Sequence, residues 1–436
     1  MKKEEFEWIH VNDLRVGLFI ELEVGWLAHP FPSGSFKIHS EQQLETLRGL
    51  GLKQLRVVPG KSDPIAFDQA ARADAAAQSA PRSLSIDGGA PNAAAQREQQ
   101  VQKLRSEQLA SQRNSILACE RRFTESARQY RQAVEQVQAH PAAMAQQCTA
   151  MVQGFVSEIM QSGESVIRLL SDVSGDKSAL HPVNVMVVSL LLGKAMGLES
   201  AALGDLGIAA FLHDIGKISL PDRVRWPDDS LSKTEYGLYQ DHLGESVRLA
   251  NAMGLSSQAI KSIGQHHELA DGSGFPMRVN GASMTTAGKI LSLVNRYDNL
   301  CNPARPGTAL TPHEALAHIF AQLKHRFDPV VLSAFIRMMG VYPPGSVVQL
   351  IDDRYAVVMS VNSTRPLKPC VLLYESGVAR HEALIVDLER APNISIRRSL
   401  KPSSLPAAAM DYLAPRPRTS YFFDSVGHAA EEKAVA

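Results

Sequence analysis

The sequence predicts a mainly α protein: a central helical bundle, a small α+β module before it and a short β appendage after it. Three observations carry this. Apolar residues recur at helical spacing over 183–197, 201–212, 233–253, 256–267 and 285–300. Residues 345–397 change to strand-like runs at 346–350, 355–360 and 371–374, separated by turn residues. Residues 1–65 mix β-favouring runs at 18–24 and 54–58 with one helical stretch at 40–48.

Taken in order, the first module holds the turn-rich segment His29-Pro30-Phe31-Pro32-Ser33-Gly34, and Gly49 is placed to end its helix. Residues 66–100 are rich in Ala, Ser, Gln and Gly, too poor in large apolar side chains to fold alone, and read as a linker. Residues 101–160, rich in Gln, Arg and Ala, suit one or two long connector helices. Residues 161–340 read as all helical. Gly216 sits where a C-cap glycine would end the 201–215 helix, and Thr311-Pro312-His313-Glu314 is a helix start with Thr as N-cap, Pro at N1 and Glu at N3. Residues 341–400 form the β appendage, and the Pro- and Ala-rich segment 401–436 reads as a poorly ordered tail.

At 436 residues the chain is long enough for two or three domains. Lys+Arg and Asp+Glu are both 45, so a general nucleic-acid binder is disfavoured while a local basic pocket is not. Cys119, Cys148, Cys301 and Cys370 are scattered with no CxxC, which suits reduced thiols. The first residues are charged and lack an apolar signal core. The most apolar stretch, 185–192, is broken by Ser189 and is shorter than the roughly 18–20 residues of a membrane span, so it reads as a core helix. Together these features predict a cytoplasmic protein with no membrane span.

The chemistry concentrates in two strings. Residues 266–276 read His-His-Glu-Leu-Ala-Asp-Gly-Ser-Gly-Phe-Pro, and His213-Asp214-Ile215-Gly216-Lys217 stands upstream. Adjacent polar pairs at the ends of apolar helices are costly to bury unless something coordinates them. Imidazoles suit iron, manganese, zinc or nickel, and a carboxylate can bridge two ions. His181 opens one helix and His242 lies inside another, so ligands from several helices can converge within the bundle. Two ions sharing a water would lower its pKa and give a nucleophile at neutral pH.

In order, H…HDxGK…H…HHExxDGxGxP resembles the HD-GYP family, a subset of the HD metal-dependent phosphohydrolases. The first module, residues 1–65, with its His29-Pro30-Phe31-Pro32 run and Phe36, resembles the small N-terminal domain of unknown function that often precedes it. The resemblance implies an HD-type bundle that hydrolyses cyclic di-GMP, a bacterial second messenger, to linear pGpG and sometimes to GMP, using two divalent ions, iron or manganese. It implies metal ligands at His181, His213, Asp214, His242, His266 and His267, with Asp214 as the bridge. Lys217 takes the phosphate contact, and Gly272, Gly274, Phe275 and Pro276 form the signature loop, with Phe275 in place of the usual tyrosine. Three positions depart. Lys177 replaces the glutamate of three-metal members, which implies two metals. Asn295 stands at the last aspartate ligand: either it coordinates poorly, or Asp298, one helical turn on, compensates. Arg305 lies in a shifted arginine-proline segment as a second phosphate contact. Cyclic di-GMP is the expected partner, together with signalling proteins at the N-terminal module or the signature loop, and a homodimer stays open. The alternative is a catalytically weak cyclic di-GMP receptor or adaptor on the same fold, kept alive by Asn295. A hydrolase of another nucleotide is less favoured by the complete string.

Overall fold

The computed structural model describes residues 6–21, 35–38, 40–49, 54–64, 91–162, 165–170, 177–227, 230–362, 366–391, 394–415 and 418–425. The chain divides into two compact units, one of residues 1–103 and 388–395, the other of 104–387 and 396–436. The His29–Gly34 part of the N-terminal resemblance and residues 66–90 of the expected linker lie outside the described residues.

The first unit contains a four-stranded antiparallel sheet in the order β1-β4-β2-β3, formed by β1 Glu7–His10, β2 Phe19–Glu21, β3 Ser35–Lys37 and β4 Gln54–Val57. One helix, α1 Glu41–Gly49, supplies Leu44 and Leu47 to a core with Ile9, Leu18, Ile20 and Val57. This is the α+β module the sequence expects. Helix α2, Pro91–Gln136, begins inside the residues expected to be linker.

The second unit is built on helices. α3 Pro141–Gln161, α4 Lys177–Ala195 and α5 Ser200–Leu212 pack through small residues. A Cβ on Gly193 would lie 2.7 Å from Leu203 Cδ2, and one on Gly207 would lie 2.6 Å from Val152 Cγ1. The apolar stretch of α4 is longer than the sequence reading allowed: Ser178–Ala195 is long and apolar enough to cross a membrane, yet it is mostly buried as the core helix of this unit. Short α6 Asp222–Arg225 leads into α7 Lys233–Ala252, α8 Ser257–Gly264, α9 Thr286–Cys301, α10 Pro312–His318 and α11 Pro329–Met339. Their starts are fixed by side chains. Ser232 with Glu235, and Thr311 with Glu314, close reciprocal capping boxes, while Ser256, Thr285 and Asp328 each accept a backbone N–H.

Two expectations need correction. Residues 161–340 are not all helical: β5 Ser165–Leu169 is a strand, favoured by Val166 and Ile167 and paired on both sides. The segment 401–436 is not wholly a loose tail. It contains α12 Ala407–Leu413 and β11 Tyr421–Ser425, whose Tyr421, Phe422 and Phe423 are fully buried. Composition alone concealed this, because burial of three consecutive aromatics comes from pairing with β5, far away in sequence. Residues 426–436 lie outside the described residues. β5 and β11 join β6 Val347–Leu350, β7 Tyr355–Asn362, β8 Cys370–Leu373, β9 Ile385–Asp387 and β10 Ile396–Leu400 in one seven-stranded antiparallel sheet. The β appendage and the bundle therefore share one hydrophobic core.

Candidate metal centre

Six of the sequence-derived ligands meet inside the bundle. Their donor atoms form two sets, His181-His213-Asp214 and Asp214-His242-His266-His267, each with all atoms within 4.8 Å of one another. Asp214 belongs to both.

Local helix geometry fixes how three of the imidazoles face. His213 Nδ1 is 2.7 Å from the Ala210 carbonyl, His242 Nδ1 2.5 Å from the Tyr239 carbonyl and His266 Nδ1 2.7 Å from the Ile263 carbonyl. Each Nδ1–H donates to the carbonyl three residues earlier. The proton is held on that nitrogen, and the Nε2 lone pair is turned inward. His181, in the first turns of α4, differs: its Nδ1 donates to Asp298 Oδ2 at 2.6 Å. Asp298 Oδ1 in turn accepts from Asn184 Nδ2 and Asn302 Nδ2, both at 2.9 Å.

The result suits cations. His181 Nε2 and His213 Nε2 stand 3.2 Å apart, and His242 Nε2 and His266 Nε2 stand 3.3 Å apart. With the protons on the far nitrogens, these are lone pairs facing lone pairs, an arrangement that a cation between them relieves. Asp214 Oδ1 is buried with no hydrogen-bond partner among the described residues, 3.5 Å from His242 Nε2 and 3.6 Å from His266 Nε2. Asp214 Oδ2 lies 3.4 Å from His213 Nε2 and 2.6 Å from Lys217 Nζ. Burial works to raise the Asp214 carboxyl, but the Lys217 ammonium together with the His213 and His266 rings outweighs it, so the group sits well below the ordinary carboxylate range. Burial pushes the His242 imidazole down to about 3 and holds His266 and His267 below the usual histidine value. Four groups are thus ready as metal ligands at neutral pH without losing a proton.

Gly216 has a different role from the C-cap expected. The helix ends at Leu212, and Gly216 lies in a 3₁₀ turn from Ile215 to Ser219. A Cβ there would fall 2.3 Å from the His242 carbonyl oxygen and 2.4 Å from Ser246 N. The glycine lets the His213-Asp214 turn press onto α7, which carries His242.

The signature loop folds back on the His266-His267 pair. A Cβ on Gly274 would lie 2.5 Å from the His267 carbonyl oxygen, and Gly272 has φ +78°. Phe275 stacks on His267 with ring centroids 4.5 Å apart, and the peptide to Pro276 is cis. Glu268, which the sequence reading did not single out, anchors the loop. It is fully buried and its carboxylate accepts from the backbone N–H of Met277, Arg278 and Val279 at 2.7, 3.1 and 3.1 Å. Its place directly after the His-His pair was the available signal.

The centre opens on a cleft of about 570 Å³ lined by Lys217, His266, His267, Gly274, Phe275, Asn295 and Arg305. Trp226, Tyr236 and Tyr239 add aromatic surface, and Arg296 and Arg326 add charge the sequence reading missed. Lys217 Nζ lies 5.0 Å from the Trp226 ring centre. Tyr239 completes the His267 surroundings, its hydroxyl 3.1 Å from His267 Nε2. The alternatives at the last ligand separate in space. Asp298 stands behind His181, holding Nδ1, the nitrogen on the side away from the cluster. Asn295 is buried on the cleft wall, where its Oδ1 accepts from Asn299 Nδ2 at 2.7 Å. Lys177 opens α4, and its side chain lies outside the described residues.

Residues 164–331 match the HD domain, and residues 8–148 match a domain of unknown function, DUF3391. The chain is 25% identical over 393 residues to the cyclic di-GMP phosphodiesterase PA4108 of Pseudomonas aeruginosa, covering 88% of this chain and 89% of that protein. It is 26% identical over 190 residues to a cyclic di-GMP phosphodiesterase of Thermotoga maritima, covering 42% of this chain and half of the relative. Among solved structures it is similar to Bd1817, an HDG"Y"P protein from Bdellovibrio bacteriovorus, at 16% identity and TM-score 0.37, covering 76% of this chain and 98% of that one.

Proposed function

We propose that the chain is a member of the HD-GYP family of HD-domain phosphohydrolases and acts as a metal-dependent phosphodiesterase hydrolysing cyclic di-GMP to linear pGpG. The observation that carries this reading is Asp214, shared by two candidate ligand sets, one of which opens through His266 and His267 on a cleft with both basic and aromatic walls. Two divalent ions, iron or manganese, fit the imidazole-rich sets with one carboxylate between them. When bound, they supply positive charge to the phosphoryl oxygens and lower the pKa of a water.

The chain's own residues do the rest. Lys217 offers its ammonium to a non-bridging phosphate oxygen, a charge-assisted hydrogen bond that strengthens as charge grows there. Arg296, Arg305 and Arg326 set positive charge along the cleft for the second phosphate. Trp226, Tyr236 and Phe275 offer faces for a guanine base. Asp298 holds the His181 ring in one tautomer, and Glu268 holds the Gly274-Phe275 turn against His267. Water forms the new bond to phosphorus as the P–O3′ bond breaks, the 3′ oxygen leaves with a proton as a hydroxyl, and the ring opens to the linear dinucleotide with a 5′ phosphate.

Two variants test the roles. Asp214→Ala should lose both bound metal and turnover of cyclic di-GMP. Lys217→Ala should keep metal, measured by elemental analysis after anaerobic purification, while turnover drops about 10²–10³-fold. Equal loss of metal in both variants would remove the separation of roles. Asn295 favours the second reading, a catalytically weak cyclic di-GMP receptor on the same fold. If it belongs to the ligand shell, Asn295→Asp should raise metal occupancy and turnover at limiting manganese. An unchanged stoichiometry and rate would place it outside that shell.

A further inference from the structure

A second cavity, of about 550 Å³, lies where α2, the strand sheet and the end of α9 meet, apart from the catalytic cleft. Its floor is apolar and buried, formed by Leu169, Val357, Met359 and Leu413. Its lining also includes three arginines, Arg113, Arg380 and Arg418, and no carboxylate. Arg113 and Arg380 are exposed and Arg418 half-buried, so the charge sits toward solvent and the hydrocarbon surface inside. Arg113 donates to the His381 carbonyl, which ties α2 to the turn carrying Arg380. Among the described residues none of the three arginines forms an ion pair. A hollow of this volume with an apolar floor and unneutralised guanidinium groups matches a small molecule with a hydrocarbon body and an anionic head.

The same cavity wall touches the network behind the metal centre. Thr419 lines it. The Thr419 carbonyl accepts from Asn184 Nδ2 and from Asn302 Nδ2, each at 2.9 Å, and the Thr419 N–H donates to Asn302 Oδ1 at 2.8 Å. These are the two asparagines that hold Asp298, and Asp298 holds His181 Nδ1. Every member is buried, so a displacement of Thr419 has no solvent to absorb it.

We propose that this cavity binds an amphipathic organic anion, an aliphatic chain ending in a carboxylate, and that its occupancy changes the metal affinity of the His181 set through Thr419. The coupling rests on the metal reading above; the binding does not. Titration of the full chain with decanoate by calorimetry should show saturable binding, while decylamine, with the same chain and opposite charge, should not bind. Arg380→Glu with Arg418→Glu should weaken decanoate about tenfold. Leu372→Trp, which fills the hollow, should abolish it; should that variant fail to fold, the charge variant carries the test. No saturable binding, equal binding of decylamine, or an unaffected charge variant overturns the site. So does displacement of decanoate by a synthetic peptide of residues 426–436, which would assign the cavity to the chain's own end. For the coupling, saturating decanoate should shift the manganese dissociation constant about fivefold. Asn302→Ala should keep decanoate binding and lose that shift. An unchanged manganese affinity in the wild type overturns the coupling, whatever the turnover of cyclic di-GMP proves to be.

Discussion

At the residue scale, the centre depends on which nitrogen of each imidazole carries the proton. His213, His242 and His266 settle this with a backbone carbonyl three residues back, a partner that substitution cannot easily remove. His181 depends on a side chain instead, which makes Asp298 the vulnerable member. Asp298→Asn keeps the size and loses the obligatory acceptor, so the His181 ring can turn or change tautomer. Metal affinity of the His181 set should fall about 10–100-fold, read by isothermal titration with manganese, while global folding measured by circular dichroism persists. Wild-type affinity in this variant would show that Asp298 does not orient the ring. The sequence placed Asp298 one turn beyond Asn295, but could not say which side of the imidazole it meets. Spacing along a helix gives the face, whereas the contact depends on where α4 crosses α9.

At the element scale, close backbone approach matters as much as the ligands. The Gly274 turn and the His267-Glu268 backbone are in contact with no room for a methyl group. Gly274→Ala should therefore destabilise the protein by about 1–3 kcal/mol and lower turnover, because neither backbone segment can yield. Gly237→Ala is the control: it lies exposed on α7 with nothing within 4 Å of an added Cβ. It should be neutral or stabilise by up to about 1 kcal/mol through helix propensity. Equal denaturant midpoints for the two variants would contradict the packing argument. The helices were legible in advance because their caps and apolar periodicity are local. β5 and β11 were not, because each is a short run whose identity as a strand comes from a partner distant in sequence.

At the scale of the whole molecule, the buried imidazoles set a pH dependence. The folded-state value of His242 is about 3, below the 6.5 of an unperturbed histidine, because burial disfavours its charged form. His266 and His267 are shifted in the same direction. Between these values the unfolded chain binds more protons than the folded one, so stability falls as pH falls. The contribution is fully present above about pH 6.5 and is lost as the pH drops toward about 3. The metal-free protein should show a urea midpoint that is flat from pH 7 to 8 and declines steadily below pH 6. Added manganese should move the decline to lower pH, since ligation requires the neutral rings. A midpoint constant from pH 7 to 4 would mean these histidines are not held neutral by burial.

The sequence by itself determined the candidate ligand set. Two adjacent pairs, His213-Asp214 and His266-His267, with His181 and His242 at helical positions, carry their chemistry in residue type and spacing, and so does the signature loop. It also determined the helical bundle and the α+β module, whose periodicity and caps are local properties. Tertiary structure decided the rest. It put Asp214 in both ligand sets, put Asp298 behind His181, turned Glu268 inward to three backbone amides and brought β11 beside β5. Each of these depends on the crossing of elements far apart in the chain, and a crossing is settled by packing of the whole core, which no local pattern encodes.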